Sequence, residues 1–170
     1  LPGERRRSFS LATPPHDASL LELHVRRAPG GAFSEQVFNG MKEGSLLRIE
    51  GPLGQFVYRD GERPVLAIGG GTGYAPLKAI LRQVLESGSR REISLYWGAR
   101  TAEDLYEDAW LRDLATRHPQ RRVLESRDGV RALDIHAAAA ELSCPWPVWR
   151  GQPRRRHQPA QVHGKIPGAE

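Results

Sequence analysis

A short apolar stretch, a cluster of glycines and the start of a helix follow one another directly between residues 64 and 77. Residues 65–68 predict a buried strand, and the glycines within 69–73 permit positive φ and close approach of the backbone to a ligand. The free N–H groups at the start of the next helix, together with the helix dipole, attract anions. This order of elements predicts a phosphate-binding turn at the end of a parallel strand. The predicted helix has an apolar face made of Leu77, Ile80, Leu81, Val84 and Leu85.

The glycine spacing fits neither of two familiar nucleotide-binding fingerprints. A G-x-G-x-x-G motif that starts at Gly69 requires a third glycine where Tyr74 stands, and the lysine of a P-loop is absent. A glycine run alone is also typical of an ordinary turn. The strand predicted before it and the helix predicted after it favour the phosphate-binding interpretation over that alternative.

The length of 170 residues allows one domain or two small ones with a buried core. No stretch approaches the roughly 18 apolar residues of a membrane span, and residues 1–7 lack the apolar core of a signal peptide. We therefore expect a cytoplasmic protein with no membrane partner. Cys144 is the only cysteine, so the sequence offers neither a disulfide framework nor a cysteine-ligated metal centre. Any metal centre is expected on another chain or on a missing segment.

The net charge of +5 derives almost wholly from arginine and favours anionic partners. The arginine clusters are dispersed and lack the interleaved aromatic residues on which nucleobases stack. Phosphorylated cofactors therefore explain the charge better than nucleic acid does. Nucleic-acid binding through residues 154–156 is the alternative, and it predicts binding that weakens steeply with salt.

Two different patterns divide the chain near residue 62. Before it, apolar or alternating stretches at 8–11, 20–26 and 46–50 predict strands separated by Pro- and Gly-rich turns, and 32–39 predicts a short helix. This first part is typical of an antiparallel sheet or of part of a β-barrel.

The second pattern alternates between strands and helices, which predicts a parallel sheet with right-handed crossovers. Thr101 with Asp104 resembles a capping box that opens one of the helices. The other predicted elements are strands at 65–68, 93–97 and 121–125 and an alanine-rich helix at 134–142, with no regular structure over 143–170.

Four segments together resemble the ferredoxin-NADP reductase-like family, and within it the CDP-6-deoxy-glucoseen reductase and oxygenase-reductase type of iron-sulfur flavoprotein. The first segment, at 7–10, matches the family's R-x-[YF]-[ST] flavin motif. The resemblance implies that Arg7 meets the FAD pyrophosphate, that the ring of Phe9 lies against the isoalloxazine, and that Ser10 lies near flavin N5, at the reacting centre. A guanidinium fork suits phosphate oxygens and an aromatic ring suits a flat cofactor. Taken singly, Arg7 also fits a solvated charge and Phe9 a core ring.

The second segment resembles the family's strand beside the flavin phosphates. The resemblance assigns His24, Val25 and Arg26 to FAD binding. His24 on its own is more typical of an ordinary strand side chain than of a catalytic base. The turn at 51–56 resembles the one that closes the family's flavin domain, and a structural role is expected for it.

The third segment resembles the family's G-x-x-S turn, in which backbone amides and a serine hydroxyl hold the FAD pyrophosphate. Its residues here are Gly30, Gly31 and Ser34. A glycine pair directly before a helix start makes physical sense in this role, because the first amides of a helix are free donors. A hairpin turn with Ser34 as the helix N-cap is an equally good interpretation of the residues alone.

The fourth segment is the glycine cluster, which matches the family's G-x-G-x-x-P nicotinamide loop. The resemblance implies that Gly71, Thr72 and Gly73 line the path of the NAD(P)H pyrophosphate and nicotinamide. Pro76 fits the first helical turn, where its missing N–H costs little. At the following strand end, Gly98 and Arg100 are implied on the adenosine side, whereas Tyr96 and Trp97 are expected in the core.

The choice between NADH and NADPH is left open by the residues near the strand end. Arg100 suits a 2′-phosphate, whereas Glu103 and Asp104 favour a free 2′-hydroxyl. The oligomeric state and the electron acceptor are open as well.

The resemblance implies an α/β plus β fold, with a partial antiparallel flavin-binding β-barrel in residues 1–62 and a partial parallel-sheet nicotinamide-binding domain in 63–142. It implies an electron-transfer oxidoreductase in which hydride passes from NAD(P)H to FAD, and electrons then pass to an iron-sulfur centre or partner protein. A [2Fe-2S] cluster is expected only on a missing domain or a partner. The alternatives are a stand-alone flavin reductase and an inactive fragment that serves as a nucleotide-binding or interaction module.

The resemblance also predicts missing parts. The flavin motif starts already at Arg7, so the beginning of the barrel is expected to be absent. The family's late Cys-Gly-Pro strand end has no counterpart, because Cys144 comes too early and lacks the glycine. We therefore expect a chain truncated at both ends, with an unstructured or frameshifted tail at 143–170. A frameshift, a gene-prediction error and a truncated fragment are the alternative explanations for the loss of pattern near residue 120.

Overall fold

The computed structural model describes residues 6–17, 19–118, 122–126 and 159–165, and the last two segments are described as backbone alone. These residues fall into two compact units. The first draws on the described residues within 1–62, 75–89 and 157–170, and the second on those within 63–74 and 90–156. None of the helices in the described ranges is long and apolar enough to cross a membrane.

Strands and helices in the described residues follow this order along the chain. The strands are β1 (Leu20–Arg26), β2 (Val65–Gly70), β3 (Ile93–Gly98), β4 (Arg122–Ser126) and β5 (Pro159–Lys165). The α-helices are α1 (Ala32–Glu35), α2 (Tyr74–Glu86) and α3 (Asp108–Arg117), and shorter turns of π type (Gln36–Gly40) and 3₁₀ type (Gly71–Gly73 and Ala102–Asp104) adjoin them.

Strand β1 organises the first unit. It pairs antiparallel with β5, from Leu20 opposite Lys165 to Arg26 opposite Pro159. Residues 22–25 are buried on both faces of the strand. Because side chains alternate along a strand, the apolar residues at 23 and 25 share one face, and the polar residues at 22 and 24 share the other.

Helix α2 belongs to the first unit from Ala75 onward. Its buried residues Leu77, Leu81 and Val84 repeat at the helical period and form the predicted apolar face. A second, polar row along the same helix makes ion pairs with β1 and with the turn before it. The ion pairs are Lys78 with Glu22 and Arg82 with Asp17, and Glu86 is hydrogen-bonded to His16.

The second unit contains a parallel sheet in the order β2-β3-β4. Strand β3 is central, which explains why residues 93–97 are all buried. Leu111 and Leu114 provide the buried face of α3. The parallel sheet predicted from the alternation of strands and helices is confirmed.

Two predicted strands of the first part are wrong. Residues 8–11 form only a single bridge, between Leu11 and Leu23, and residues 46–50 form no strand and expose their apolar side chains. Strand propensity is expressed only when a neighbouring edge and a buried face are available, and the described residues provide neither for 46–50. The short helix predicted at 32–39 is present as α1, which continues as the π turn that ends at Gly40.

The predicted capping box at Thr101 is also wrong. Thr101 makes no side-chain capping bond, and the segment after it is a 3₁₀ turn that ends where Leu105 leaves the helical conformation. Helix α3 begins only at Asp108. The pKa of the Glu103 carboxyl is lowered by its own backbone N–H and then by the Thr101 hydroxyl.

Strand β5 lies inside 143–170, for which the sequence predicts no regular structure. Its residues are without a clear strand pattern, but β1 offers a free backbone edge with which they pair. This strand therefore forms because of a partner that is distant in the sequence, and not because of local propensity. The predicted helix at 134–142 and the remainder of the predicted tail, Cys144 and 154–156 included, lie outside the described residues.

Candidate functional site

The glycine-rich turn lies directly between β2 and α2, as predicted. Gly70 ends the strand in an extended conformation (φ −127°), and Gly71 has φ +52°, in the left-handed region that favours glycine. A Cβ added at Gly71 or at Gly73 would meet no atom within 4 Å. The outer surface of the turn is therefore open to a ligand that approaches the backbone closely.

The carboxyl ends of β2 and β3 meet beside this turn. Gly70 is paired with Gly98, and a Cβ at Gly98 would also meet open space. Ligands of parallel sheets bind at this end of the strands. The structure therefore brings Gly98 to the same edge as the turn at 71–73, and half-buried Arg100 follows two residues later.

Trp97 is fully buried immediately before this edge, as the sequence predicts for a core residue. Its indole Nε1–H donates a hydrogen bond to the carbonyl oxygen of Gly71, at 2.9 Å. The sequence does not predict this bond. The available signal was that a buried indole N–H needs an acceptor, but the sequence could not say which one.

Pro76 is the third residue of α2. The first turn of a helix has no intrahelical acceptors for its N–H groups, so a residue without an N–H costs little there. Thr72, at the centre of the glycine turn, is partly exposed. Both residues occupy the places that the sequence predicts, although their contact with a nucleotide stays a prediction.

In the first unit, the segment at 7–10 lies at the surface. Arg7 and Ser10 are exposed, and Arg7 donates a hydrogen bond to the carbonyl of Arg6. The ring of Phe9 packs against that of Phe33, with centroids 4.9 Å apart. This contact joins the first predicted flavin segment to the start of α1, where the third predicted segment ends.

The turn before α1 is closed by Ser34, whose side chain is buried. Its Oγ accepts a hydrogen bond from Ala28 N–H (3.1 Å) and lies within donating distance of the carbonyls of Ala28 (3.0 Å) and Gly31 (2.9 Å). The N-cap of α1 is Gly31, so the interpretation of Ser34 as N-cap is wrong. The hydroxyl fixes the turn from inside, and its direct contact with a pyrophosphate stays a prediction.

Gly31→Ala is expected to destabilise this turn by about 1–3 kcal/mol, because the new Cβ would lie 2.9 Å from Ser34 Oγ and 3.0 Å from Ala28 O. Adding Ser34→Ala should relieve part of that loss, which urea denaturation of the three variants would measure. Gly30→Ala is the matched control. Gly30 has φ +70° with open space around a Cβ, so its cost of about 1–2 kcal/mol comes from the backbone and should add to that of Ser34→Ala. If the losses in unfolding free energy were simply additive both for Gly31→Ala with Ser34→Ala and for Gly30→Ala with Ser34→Ala, the steric explanation would be contradicted.

The three residues of β1 that the resemblance assigns to FAD do not converge through their side chains. Val25 is in the core and Arg26 is exposed. His24 lies on the opposite face from Val25, and its Nε2 is 2.8 Å from Glu22 Oε1. Since an ionised carboxylate only accepts hydrogen bonds, Nε2 carries the donated proton. The structure thus places His24 in an internal contact, in agreement with its interpretation as an ordinary strand side chain.

The same carboxylate oxygen of Glu22 also accepts a hydrogen bond from Lys78 Nζ, at 2.7 Å. Burial alone would raise the pKa of Glu22, but hydrogen bonds from His24 and Lys78 and the Lys78 charge outweigh it and hold the pKa at about 2. Sequence reasoning missed this buried charge cluster, since its lysine and its glutamate are 56 residues apart.

Comparison with known proteins agrees with both halves of the resemblance. Residues 2–58 match the family model of the oxidoreductase FAD-binding domain, and residues 67–132 match that of the oxidoreductase NAD-binding domain. A crystal structure of the Amycolatopsis cytochrome P450 reductase GcoB is similar, with a TM-score of 0.64 and 34% sequence identity; the match covers 84% of this chain and 46% of that one.

Two curated relatives add sequence support. The ferredoxin–NAD(P)(+) reductase component of the naphthalene 1,2-dioxygenase system of Pseudomonas putida is 42% identical over 121 residues, which cover 71% of this chain and 37% of that protein. The CDP-6-deoxy-L-threo-D-glycero-4-hexulose-3-dehydrase reductase of Yersinia pestis is 38% identical over 115 residues, which cover 68% and 35%. The chain thus spans little more than a third of these relatives. It carries successive matches to the oxidoreductase FAD-binding and NAD-binding domains, and it is similar in sequence to a ferredoxin–NAD(P)(+) reductase component.

Proposed function

We propose that this chain is the cofactor-binding part of an NAD(P)H-dependent flavin oxidoreductase of the electron-transfer type. In this proposal, residues 6–62 contribute to an FAD site and residues 63–118 to a site for NAD(P)H. The observation that supports it most is the meeting of Gly70 and Gly98 beside the open turn at 71–73. This is the arrangement in which a dinucleotide phosphate approaches the carboxyl ends of parallel strands.

The residues present fit a dinucleotide. Open space at the Cβ positions of three glycines provides a cradle that side chains would fill, and the amides of the glycine turn, which directly precedes α2, suit a phosphate. Arg100 follows the same edge and offers a positive charge to a ribose or phosphate. The residues that we propose on this side are Gly71, Thr72, Gly73, Pro76, Gly98 and Arg100.

The residues of the first unit fit a flavin in a different way. Arg7 is exposed and can present its guanidinium to a pyrophosphate, and Phe9 keeps 36% of its surface exposed, so its ring is available to a flat cofactor. Ser10 offers a small hydroxyl beside that ring, and we propose it for the reacting centre. The other residues proposed on this side are His24, Val25, Arg26, Gly30, Gly31 and Ser34, with His24 and Ser34 acting from inside the fold.

When bound, FAD and the nicotinamide supply the hydride and electron chemistry. The chain's own residues bind the phosphates, orient the rings and exclude water, so no side chain is required as a general base. The hydroxyl of Ser10 is small enough to leave the flavin face accessible.

We further propose that the first unit is part of an antiparallel flavin-binding barrel. Its antiparallel pair of β1 and β5 supports this. So does the stretch at 46–57, where Leu46, Leu53 and Phe56 are 97%, 79% and 69% exposed. Within the described residues nothing covers these side chains, as expected for part of a larger sheet.

The electron acceptor that we propose is an iron-sulfur centre or an iron-sulfur protein. The support is chemical and comparative. The Pseudomonas relative is by name a ferredoxin–NAD(P)(+) reductase component, and this chain has a single cysteine and so lacks a cysteine set for a cluster of its own. A cytoplasmic location, where nicotinamide nucleotides are available, belongs to the same proposal.

The experiment that tests the proposal is a titration of the purified chain with FAD. We expect a bound flavin spectrum that NADH or NADPH bleaches under anaerobic conditions. The faster nucleotide would also identify the preferred one. A chain that stays colourless with FAD would overturn the oxidoreductase proposal for this chain, and flavin that binds but leaves on reduction would favour a stand-alone flavin reductase.

Two neighbouring arginines provide a matched control for that titration. Arg7→Ala is expected to weaken FAD binding roughly 10- to 100-fold, because a hydrogen bond to a charged group contributes about 1.5–3 kcal/mol. Arg6→Ala should change the affinity less than about twofold, since Arg6 forms an exposed ion pair with Glu50. Equal losses in both variants would show a general charge effect and contradict the assigned role of Arg7.

A further inference from the structure

The buried indole of Trp97 makes a directional contact with the glycine turn. Trp97 is 0% exposed, and its Nε1–H donates to Gly71 O at 2.9 Å. Because Trp97 lies in the central strand β3, between its hydrogen-bonded neighbours β2 and β4, its backbone position is fixed. The contact therefore links a rigid element of the second unit to the turn.

Two tyrosines hold the indole ring in one orientation. Tyr74 stacks on it, with centroids 4.2 Å apart and planes 21° apart. Tyr106 meets it edge-on at 5.0 Å and meets Tyr74 in the same manner at 6.3 Å. Aromatic pairs prefer these offset-stacked and edge-to-face geometries, so the three rings fix the direction in which the N–H points.

The carbonyl of Gly71 is held from two sides. It accepts the indole N–H, and it also accepts the backbone N–H of Tyr74. In a planar trans peptide, the C=O of one residue and the N–H of the next point in opposite directions. With Gly71 O directed at the indole, the N–H of Thr72 is directed away from it.

We propose that Trp97 is a positioning residue for the dinucleotide-binding turn. By holding the Gly71 carbonyl, its indole N–H turns the Thr72 amide outward, so that this amide can donate to an anionic oxygen of the bound nucleotide. Trp97 itself is buried and touches no ligand. This inference rests on the proposed function, namely that the turn at 71–73 receives the phosphates of NAD(P)H.

The glycine at position 71 makes such a hold necessary. Glycine can adopt many backbone conformations, and without the indole the peptide that links it to Thr72 would be held only by the Tyr74 amide. A donor that is already oriented does not have to be ordered when the ligand binds, and the affinity rises accordingly. Loss of the indole N–H should therefore weaken nucleotide binding and loosen the turn even when no ligand is present.

The test replaces Trp97 by 3-benzothienylalanine, which keeps the bicyclic shape and has sulfur in place of the N–H. Trp97→Phe is a second, coarser variant. We expect the dissociation constant for NAD⁺ or NADP⁺, measured by calorimetry on the full chain, to rise about three- to tenfold, as for one hydrogen bond. Hydrogen exchange of the amides at 71–73 without ligand should accelerate by a similar factor, while FAD affinity stays unchanged.

Trp110→Phe, in α3, is the matched control and should leave both measurements unchanged. Unaltered exchange and unaltered nucleotide affinity in the benzothienyl variant would overturn the role of Trp97. So would equal changes in Trp110→Phe, since they would reflect general loosening. If the unmodified chain bound neither nucleotide, the proposed function would fail and the role with it, whereas the ligand-free exchange rates would still show whether the indole holds the turn.

Discussion

Replacement of Lys78 by methionine is expected to lower the free energy of unfolding by about 3 kcal/mol. Lys78 Nζ lies 2.7 Å from Glu22 Oε1, and the Glu22 side chain is only 4% exposed. Removing one partner of a buried pair leaves the other charge without compensation, which costs about 3–5 kcal/mol. The lower end applies because His24 still donates to the same oxygen. Urea denaturation of the full chain at neutral pH measures the loss.

The double variant Glu22→Gln/Lys78→Met should recover part of this stability, since the Glu22 charge that Lys78 compensated is removed together with it. Arg117→Met is the matched surface control: its pair with Asp113 has both side chains more than half exposed, so less than about 1 kcal/mol is expected. A loss for Lys78→Met no larger than the control, or a double variant that adds the two single losses, would contradict a coupled buried pair.

Acid is expected to remove about 3 kcal/mol of stability through Glu22 alone. Its pKa lies at about 2 in the folded chain, against an ordinary 4.5. A depressed carboxyl pKa gives stability that is complete above about pH 4.5 and is lost as the pH falls toward 2, because the unfolded chain binds the proton first. A difference of about 2.5 pKa units at about 1.4 kcal/mol each gives roughly 3–4 kcal/mol in total, of which about 3 kcal/mol is lost by pH 2.

The difference in unfolding free energy between the unmodified chain and Glu22→Gln isolates this contribution. Asp17, whose pKa is lowered by its hydrogen bond with Arg82, is present in both proteins and cancels. The difference should be largest near pH 6 and shrink by about 3 kcal/mol toward pH 2. A difference that is constant over this range would show that Glu22 titrates at its ordinary pKa.

The second unit could be predicted well because its signals are local. The apolar run at 93–97 is buried throughout in the central strand, and the run at 65–68 pairs parallel with it. The stretch at 46–50 has an equally good local pattern, but it forms no strand in this structure. Whether this stretch forms a strand depends on the edge of a neighbouring strand, about which its own sequence carries no information.

The candidate site likewise has one part that the sequence predicts and another that it does not. The turn at 71–73 follows from adjacent residues and lies where it was predicted. The hydrogen bond from Trp97 spans 26 residues and the one from Lys78 spans 56, so neither leaves a local pattern. The cofactors could be inferred from the family resemblance. The contacts that hold the turn and the charge cluster can be seen only in the folded chain.

The ion pair of Glu22 and Lys78 has a consequence for chimeric proteins. Glu22 lies within the FAD-binding match and Lys78 within the NAD-binding match, yet both residues are in the same compact unit. A crossover placed at residue 62, where the sequence changes pattern, would separate a buried acid from its base. A module exchanged between relatives should keep α2 together with β1, so the natural cut points are at 74 and 89 as well as at 62.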